Sequence, residues 1–153
     1  MREGESIIGI IYPLPRELVK RVNSNRNIFV KYLTHEPNKR SLKIKEEDKL
    51  FIYESRNKKM IVAEAIISKI EFLTIDEIFK KYKNRTIAGL EALRIYSKGR
   101  EEKKMLVLHL NNINMYKEPL PVSKPITMAG QYITKHNWER LIKNSEVGGE
   151  DET

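Results

Sequence analysis

Lys31 is the residue in this sequence whose setting most invites chemistry. It stands in the run Asn27-Ile-Phe-Val-Lys-Tyr-Leu33. Strand alternation puts Ile28, Val30 and Tyr32 on one face and Phe29, Lys31 and Leu33 on the other. An ammonium between Phe29 and Leu33 either snorkels past a sheet edge or is held there to bind an anion or move a proton. Glu64 is a second odd charge, a lone carboxylate inside the apolar run Met60–Ile70. Such a group ordinarily points to solvent or pairs with a base. His35, His109 and His136 are scattered without ligand spacing, so no metal site is expected. His109, inside an apolar strand, reads as a half-buried and satisfied histidine. The absence of cysteine excludes disulfides, thiolate chemistry and Cys-based zinc sites. No GxGxxG, Walker A or HExxH pattern occurs, and no Ser-His-Asp arrangement can be read.

Charge narrows the partner. The 153 residues carry a net +8, and the last nine, Ser145–Thr153, hold four acids and no base. The remaining body is therefore 29 − 17 = +12. A body that basic favours a polyanion such as nucleic acid. Lys- and Glu-rich surfaces are also common in heat-adapted proteins, which is the bland explanation. The charged start and the lack of a long apolar run argue against a signal peptide or membrane span. A cysteine-free chain suits the cytoplasm. The expected organisation is one domain over residues 1–144 and a disordered acidic tail over 145–153.

The elements that must position these residues follow from periodicity. Lys49–Ser55 and Met60–Leu73 form a hairpin about the turn Arg56-Asn57-Lys58-Lys59, and this hairpin is the spine of the sheet. Asn57 suits unusual turn angles. Ile7–Tyr12 is a first strand ending at Pro13. Pro15 opens a short helix at its first position, with Leu14, Leu18 and Val22 as the buried stripe. His35–Arg40 is a loop. Thr74 and Glu77 make a capping box for a helix buried through Ile75, Ile78, Phe79 and Tyr82. Lys80, Lys81 and Lys83 line its exposed side, and Arg85 follows. Thr86 is expected to cap a helix reaching Tyr96, with Leu90 and Leu93 inward. Lys104–Ile113, apolar on both faces, should be a central strand. Pro119, Pro121 and Pro125 mark an extended crossing. Ile126–Ile133 is a last strand with Gly130 as a bulge. Thr134 then caps a helix with Trp138, Leu141 and Ile142 inward.

This order of elements resembles the PUA-like superfamily, and within it ASCH-type domains. Asp48-Lys-Leu-Phe-Ile-Tyr-Glu-Ser55 is similar to that group's "Gly-Asp-…-Tyr-x-Ser" strand. Ile61-Val-Ala-Glu-Ala65 is similar to its "Ile-Val-Gly-Glu-Ala" strand. The Gly89-Leu90…Tyr96 segment is like the one after its helix. With Phe29-Val-Lys-Tyr32 and Thr127-Met-Ala-Gly130, the chain resembles an uncharacterised archaeal family near the ASCH group. The ASCH signature Gly-x-Lys-x-x-Glu-x-Arg falls on Ser24-Asn-Arg26-Asn-Ile-Phe29-Val-Lys31. Basic residues persist at Arg26 and Lys31; the glycine and the acid do not. Some ASCH enzymes are amidohydrolases on acetylated cytidine that use the signature lysine. Arg26 stays protonated and is a poor base there, though a good fork for phosphate or a base edge.

The resemblance implies an α+β fold with a mixed, barrel-like sheet. It also implies a cleft lined by Tyr12, Arg26, Lys31, Tyr53 and Ser55. In it, rings would stack on a base and the cations would hold phosphate or an exocyclic group. Lys80, Lys81, Lys83 and Arg85 would extend a backbone track. The expected function is binding of RNA or a nucleotide, a modified base being one option, without a cofactor. The alternatives are a nucleoside-processing enzyme using Lys31 or Glu64, and a small protein-binding adaptor.

Overall fold

The computed structural model describes residues 6–33, 42–56 and 58–142. Its elements in chain order are β1 (Ile7–Leu14), α1 (Arg16–Val19), β2 (Ile28–Lys31), β3 (Lys49–Glu54) and β4 (Met60–Leu73). They continue with α2 (Ile75–Tyr82), α3 (Leu90–Ser97), β5 (Met105–Pro121) and β6 (Gln131–Thr134). Residues 135–142 form a last helix, α4. The strands make one six-stranded sheet in the order β2-β5-β4-β3-β1-β6. β1 and β3 are parallel; the other neighbouring pairs are antiparallel. The fold is α+β, with a mixed sheet that is curled but not closed.

The curl is read from one contact. The Tyr12 ring on β1 stacks on the Phe29 ring on β2, with centroids 5.2 Å apart and planes at 23°. Three strands separate β1 from β2 within the sheet, so only strong coiling brings them together. The long β4–β5 ladder supplies it. Its register shifts at Ile61/Ala63, Glu64/Ile66 and Ile67/Lys69, and each bulge adds bend and twist. The inner face is closed by Ile10, Tyr12, Phe29, Leu50, Ile52 and Leu108. On the outer face, α2 and α3 bury Ile78 and Leu93 against Ile28 and Val107. Elsewhere Leu141 and Trp138 of α4 pack on Ile11, Phe51 and Tyr53. Each fully buried aliphatic or aromatic side chain contributes roughly 1.5–3 kcal/mol.

The faces of β2 fall as alternation requires, with Ile28 and Tyr32 in the outer cluster and Phe29 in the inner one. The capping box of α2 forms: the Glu77 N–H donates to Thr74 Oγ1 and the Thr74 N–H to Glu77 Oε1. Thr134 and Asn137 reciprocate in the same way ahead of α4. Other boundaries differ, for definite reasons. β1 continues through Pro13, which pairs with Tyr53. The Ser55 N–H donates to Leu14 O on the β3 side, so the position of Pro13 faces the β6 side, where pairing has stopped at Ile11. A missing N–H is harmless there. Likewise β5 runs on through Pro119 to Pro121, because β2 flanks it only from Leu106 to His109 and leaves the later edge open. It is central only over that first part.

α1 is a single turn whose N-cap is Pro15, rather than a longer helix with Pro15 inside it. α3 starts after Gly89, not Thr86; Thr86 instead bridges to Ile28 and donates to Ala88 O at 2.7 Å. Gly130 is no bulge: its N–H closes a turn on Thr127 O before the short β6. Its φ of +77° and its closeness to Tyr12, whose ring carbon a Cβ would meet at 2.6 Å, both demand glycine. In the hairpin turn it is Lys59 that takes a positive φ, 54°. The expected loop at His35–Arg40, Asn57 and the acidic tail lie outside the described residues.

Candidate functional site

The curl that stacks Tyr12 on Phe29 also carries Lys31 inward. Its Nζ lies 5.3 Å from the centroid of the Tyr12 ring, a cation–π distance. Lys31 is half-buried, and among the described residues no carboxylate lies within 4 Å of it. Burial lowers its pKa below the ordinary lysine value, because desolvation disfavours the charged form. Tyr12 is shifted the other way: burial raises its pKa well above the usual tyrosine range, and Tyr132 and Tyr96 add to the effect.

Those two tyrosines identify the surroundings. Tyr132, on β6 opposite Ile10, accepts the Lys43 N–H at 3.3 Å and has the Lys43 ammonium 5.7 Å from its ring. Tyr96, on α3, accepts the Tyr32 N–H at 2.8 Å. Arg100 lies over both Tyr32, at 4.1 Å, and Tyr96, at 4.8 Å. Lys31 and Lys43 thus accompany the inner-face rings of Tyr12 and Tyr132, whereas Arg100 accompanies Tyr32 and Tyr96 of the outer cluster. Lys43, Tyr96, Arg100 and Tyr132 were not picked out as site residues from sequence. No local pattern marks them; only tertiary packing sets Lys43 beside Tyr132 and Arg100 beside Tyr96.

The other expected site residues are not gathered here. Tyr53 alternates to the outer face and is buried with Phe51 and Ile61. Tyr12 and Tyr53 are each only 2% exposed, so neither can stack on a base. Arg26 is exposed in a tight turn, where Asn23 Oδ1 accepts its N–H at 2.8 Å. It lies at the start of β2, while Lys31 ends that strand. Ser55 follows β3 and ties it to β1 through Leu14 O. Lys80, Lys81 and Lys83 are exposed on α2, which covers the face of β2 opposite Lys31. Lys81 pairs with Glu71 at 3.5 Å. Arg85 reaches Asn27 Oδ1 at 3.2 Å, beside the Arg26 turn.

Two carboxylates are structural. Glu64 pairs with Lys49 at 3.0 Å and accepts the Tyr116 hydroxyl at 2.7 Å. Burial would raise its pKa, but the hydrogen bonds from Tyr116 and Lys49 prevail and lower it. It therefore sits far from Lys31 in role and in face, since its neighbours Ala63 and Ala65 point inward. Glu71 joins His109 at 2.6 Å and Tyr82 at 2.5 Å, with Lys69 and Lys81 nearby. Burial again opposes ionisation, yet these partners hold its pKa down to about 2. Burial and the same hydrogen bond push Tyr82 up to about 12. His109, its ring edge-on to Tyr82, is thereby satisfied.

The curled sheet and its strand order are similar to the fold of an ASCH protein of known structure. The ASCH protein of Zymomonas mobilis superposes with a TM-score of 0.62 at 16% identity, over 89% of this chain and 94% of that one. A mutant form of it gives 0.63 at 14% identity, over 91% and 97%. Residues 7–135 match the family described as "Domain of unknown function (DUF365)", and the chain belongs to that family. A curated relative, "Uncharacterized protein MJECS03" of Methanocaldococcus jannaschii, is 28% identical over 105 residues, covering 62% of this chain and 97% of the relative. Among the described residues no helix is long and apolar enough to cross a membrane.

Proposed function

We propose that the protein binds RNA or a nucleotide at the inner end of β2, with Lys31 as the anion-binding group. The observation that carries this reading is the half-buried Lys31 ammonium, with no carboxylate of the described residues beside it. Holding a cation out of water without a counter-ion is unfavourable. A phosphate or a carbonyl edge supplied by a ligand removes that penalty. Lys43 lies 5.7 Å from the Tyr132 ring, which packs in the inner cluster, and that part-exposed ring offers the stacking surface that Tyr12 and Tyr53 cannot. The net charge of +8 supports a polyanion as partner. The ASCH fold is compatible with this reading and does not by itself select it.

The test is fluorescence-anisotropy titration of tRNA and short single strands at two salt concentrations. Lys31→Ala is expected to weaken binding by about tenfold or more and to flatten the salt dependence by about one ion. Unchanged affinity in that variant contradicts the reading. One observation favours a second reading, an enzyme on a nucleoside. Burial lowers the pKa of Lys31, and a lysine so shifted can act as base or nucleophile. Turnover of an acylated nucleoside that disappears in Lys31→Arg, with binding retained, would select it. Glu64 is not part of either reading, being tied to Lys49 and Tyr116 on the other face.

A further inference from the structure

A cationic cleft lies at the end of the sheet opposite Lys31. β1 and β3 are the parallel pair, and their carboxyl ends meet where Leu14 pairs with Glu54. The Ser55 N–H, bonded to Leu14 O at 3.0 Å, fixes the two chain exits side by side. One exit leads into α1 with Arg16 and Lys20; the other leads directly to Arg56. Arg16, Glu17, Lys20 and Arg56 line a cleft of about 330 Å³.

The charge of this cleft has no internal explanation. Arg16 and Lys20 are four apart on one turn, a spacing at which like charges repel, and Arg56 is added from another segment. Among the described residues none of the three lies within 4 Å of a carboxylate. Glu17 leaves the lining at 3 − 1 = +2. Glu54, buried at the end of β3 with 5% exposure, makes no ion pair with them either. A phosphate monoester carries about −1.5 to −2 at neutral pH, which matches that charge, and arginine forks suit its oxygens.

We propose that this cleft seats a terminal phosphate monoester of a nucleic acid. The proposal rests on the nucleic-acid reading above only for the source of the phosphate. Arg26, exposed just before β2, and Arg85, which reaches Asn27, lie at the same end, because β1 and β2 run in opposite directions. They would receive the chain that follows the terminal phosphate.

The test compares one single-stranded RNA bearing either a 5′-phosphate or a 5′-hydroxyl, on the full chain. The wild type is expected to bind the phosphorylated form about tenfold more tightly, a preference that inorganic pyrophosphate abolishes. The triple variant Arg16→Ala, Lys20→Ala, Arg56→Ala should bind both forms equally. All three side chains are exposed, so folding is expected to survive, and the single reversal Arg56→Glu gives the same readout if it does not. Lys31→Ala should weaken both forms alike and leave their ratio intact. A ratio near one in the wild type, or a ratio untouched by the triple variant, overturns the proposal. So does loss in the variant of binding to anionic phospholipid vesicles with no RNA preference at any stage. An unchanged affinity in Lys31→Ala sinks the earlier reading while leaving this ratio to decide its own case.

Discussion

Glu71 on the interior strand β4 and Lys31 on the edge strand β2 are both charged, and the molecule treats them in opposite ways. Glu71 is surrounded by groups that want its charge: the Tyr82 hydroxyl, His109, Lys69 and Lys81. Its pKa falls to about 2 even though burial pulls the other way. Lys31 has an aromatic face and no carboxylate among the described residues, and its pKa falls through burial alone. For a carboxylate a fall means that folding favours the charge; for an ammonium it means that folding disfavours it. The first residue stabilises the fold by clamping α2 to the sheet. The second costs stability, and a group retained at such a cost is a functional candidate.

The contrast can be broken most forcefully at Glu71. Glu71→Ala leaves His109 and Tyr82 without their partner and should cost roughly 2–3 kcal/mol by urea denaturation. A loss under about 0.5 kcal/mol would remove the clamp. The pH profile sharpens the same point. Since the folded pKa lies near 2 and the free value near 4.5, this stability is fully present above about 4.5. It drains as pH falls from there toward 2. Glu71→Gln should flatten that part of the stability curve, and an unaltered slope would show that other carboxylates set it.

Lys31→Met tests the other side: chemical denaturation should find it as stable as the wild type or more so, since an apolar chain replaces an uncompensated charge. A clear loss of stability would mean that Lys31 has a structural partner. The smallest effect is expected at Glu64. Its partner Lys49 has a side chain 43% exposed, so Lys49→Met should change stability by less than about 1 kcal/mol.

Much of the fold was legible because local rules and tertiary packing agree over β2, the hairpin, α2 and α4. Alternation placed Lys31 on the face of Phe29, and the Thr74/Glu77 box marked a real helix start. What the chain concealed is long-range. Pro13 reads as a strand end and Pro119 and Pro121 as an extended crossing, yet each sits in a strand where pairing on one side has already stopped, which depends on neighbours remote in sequence. The site was half legible for the same reason. Lys31 showed itself by interrupting an apolar face. Tyr53 and Arg26 came with the resemblance, and the structure puts one on the outer face and the other in an exposed turn. Lys43 meets Tyr132, and Arg100 meets Tyr96, only through tertiary packing, and no spacing in the chain records that.

NMR titration of the Lys31 ε-amine measures most directly whether the fold withholds its charge. In the free protein its pKa should lie below the value of an ordinary exposed lysine, and bound RNA or nucleotide should raise it. An ordinary pKa that no ligand moves would contradict the proposed role of Lys31.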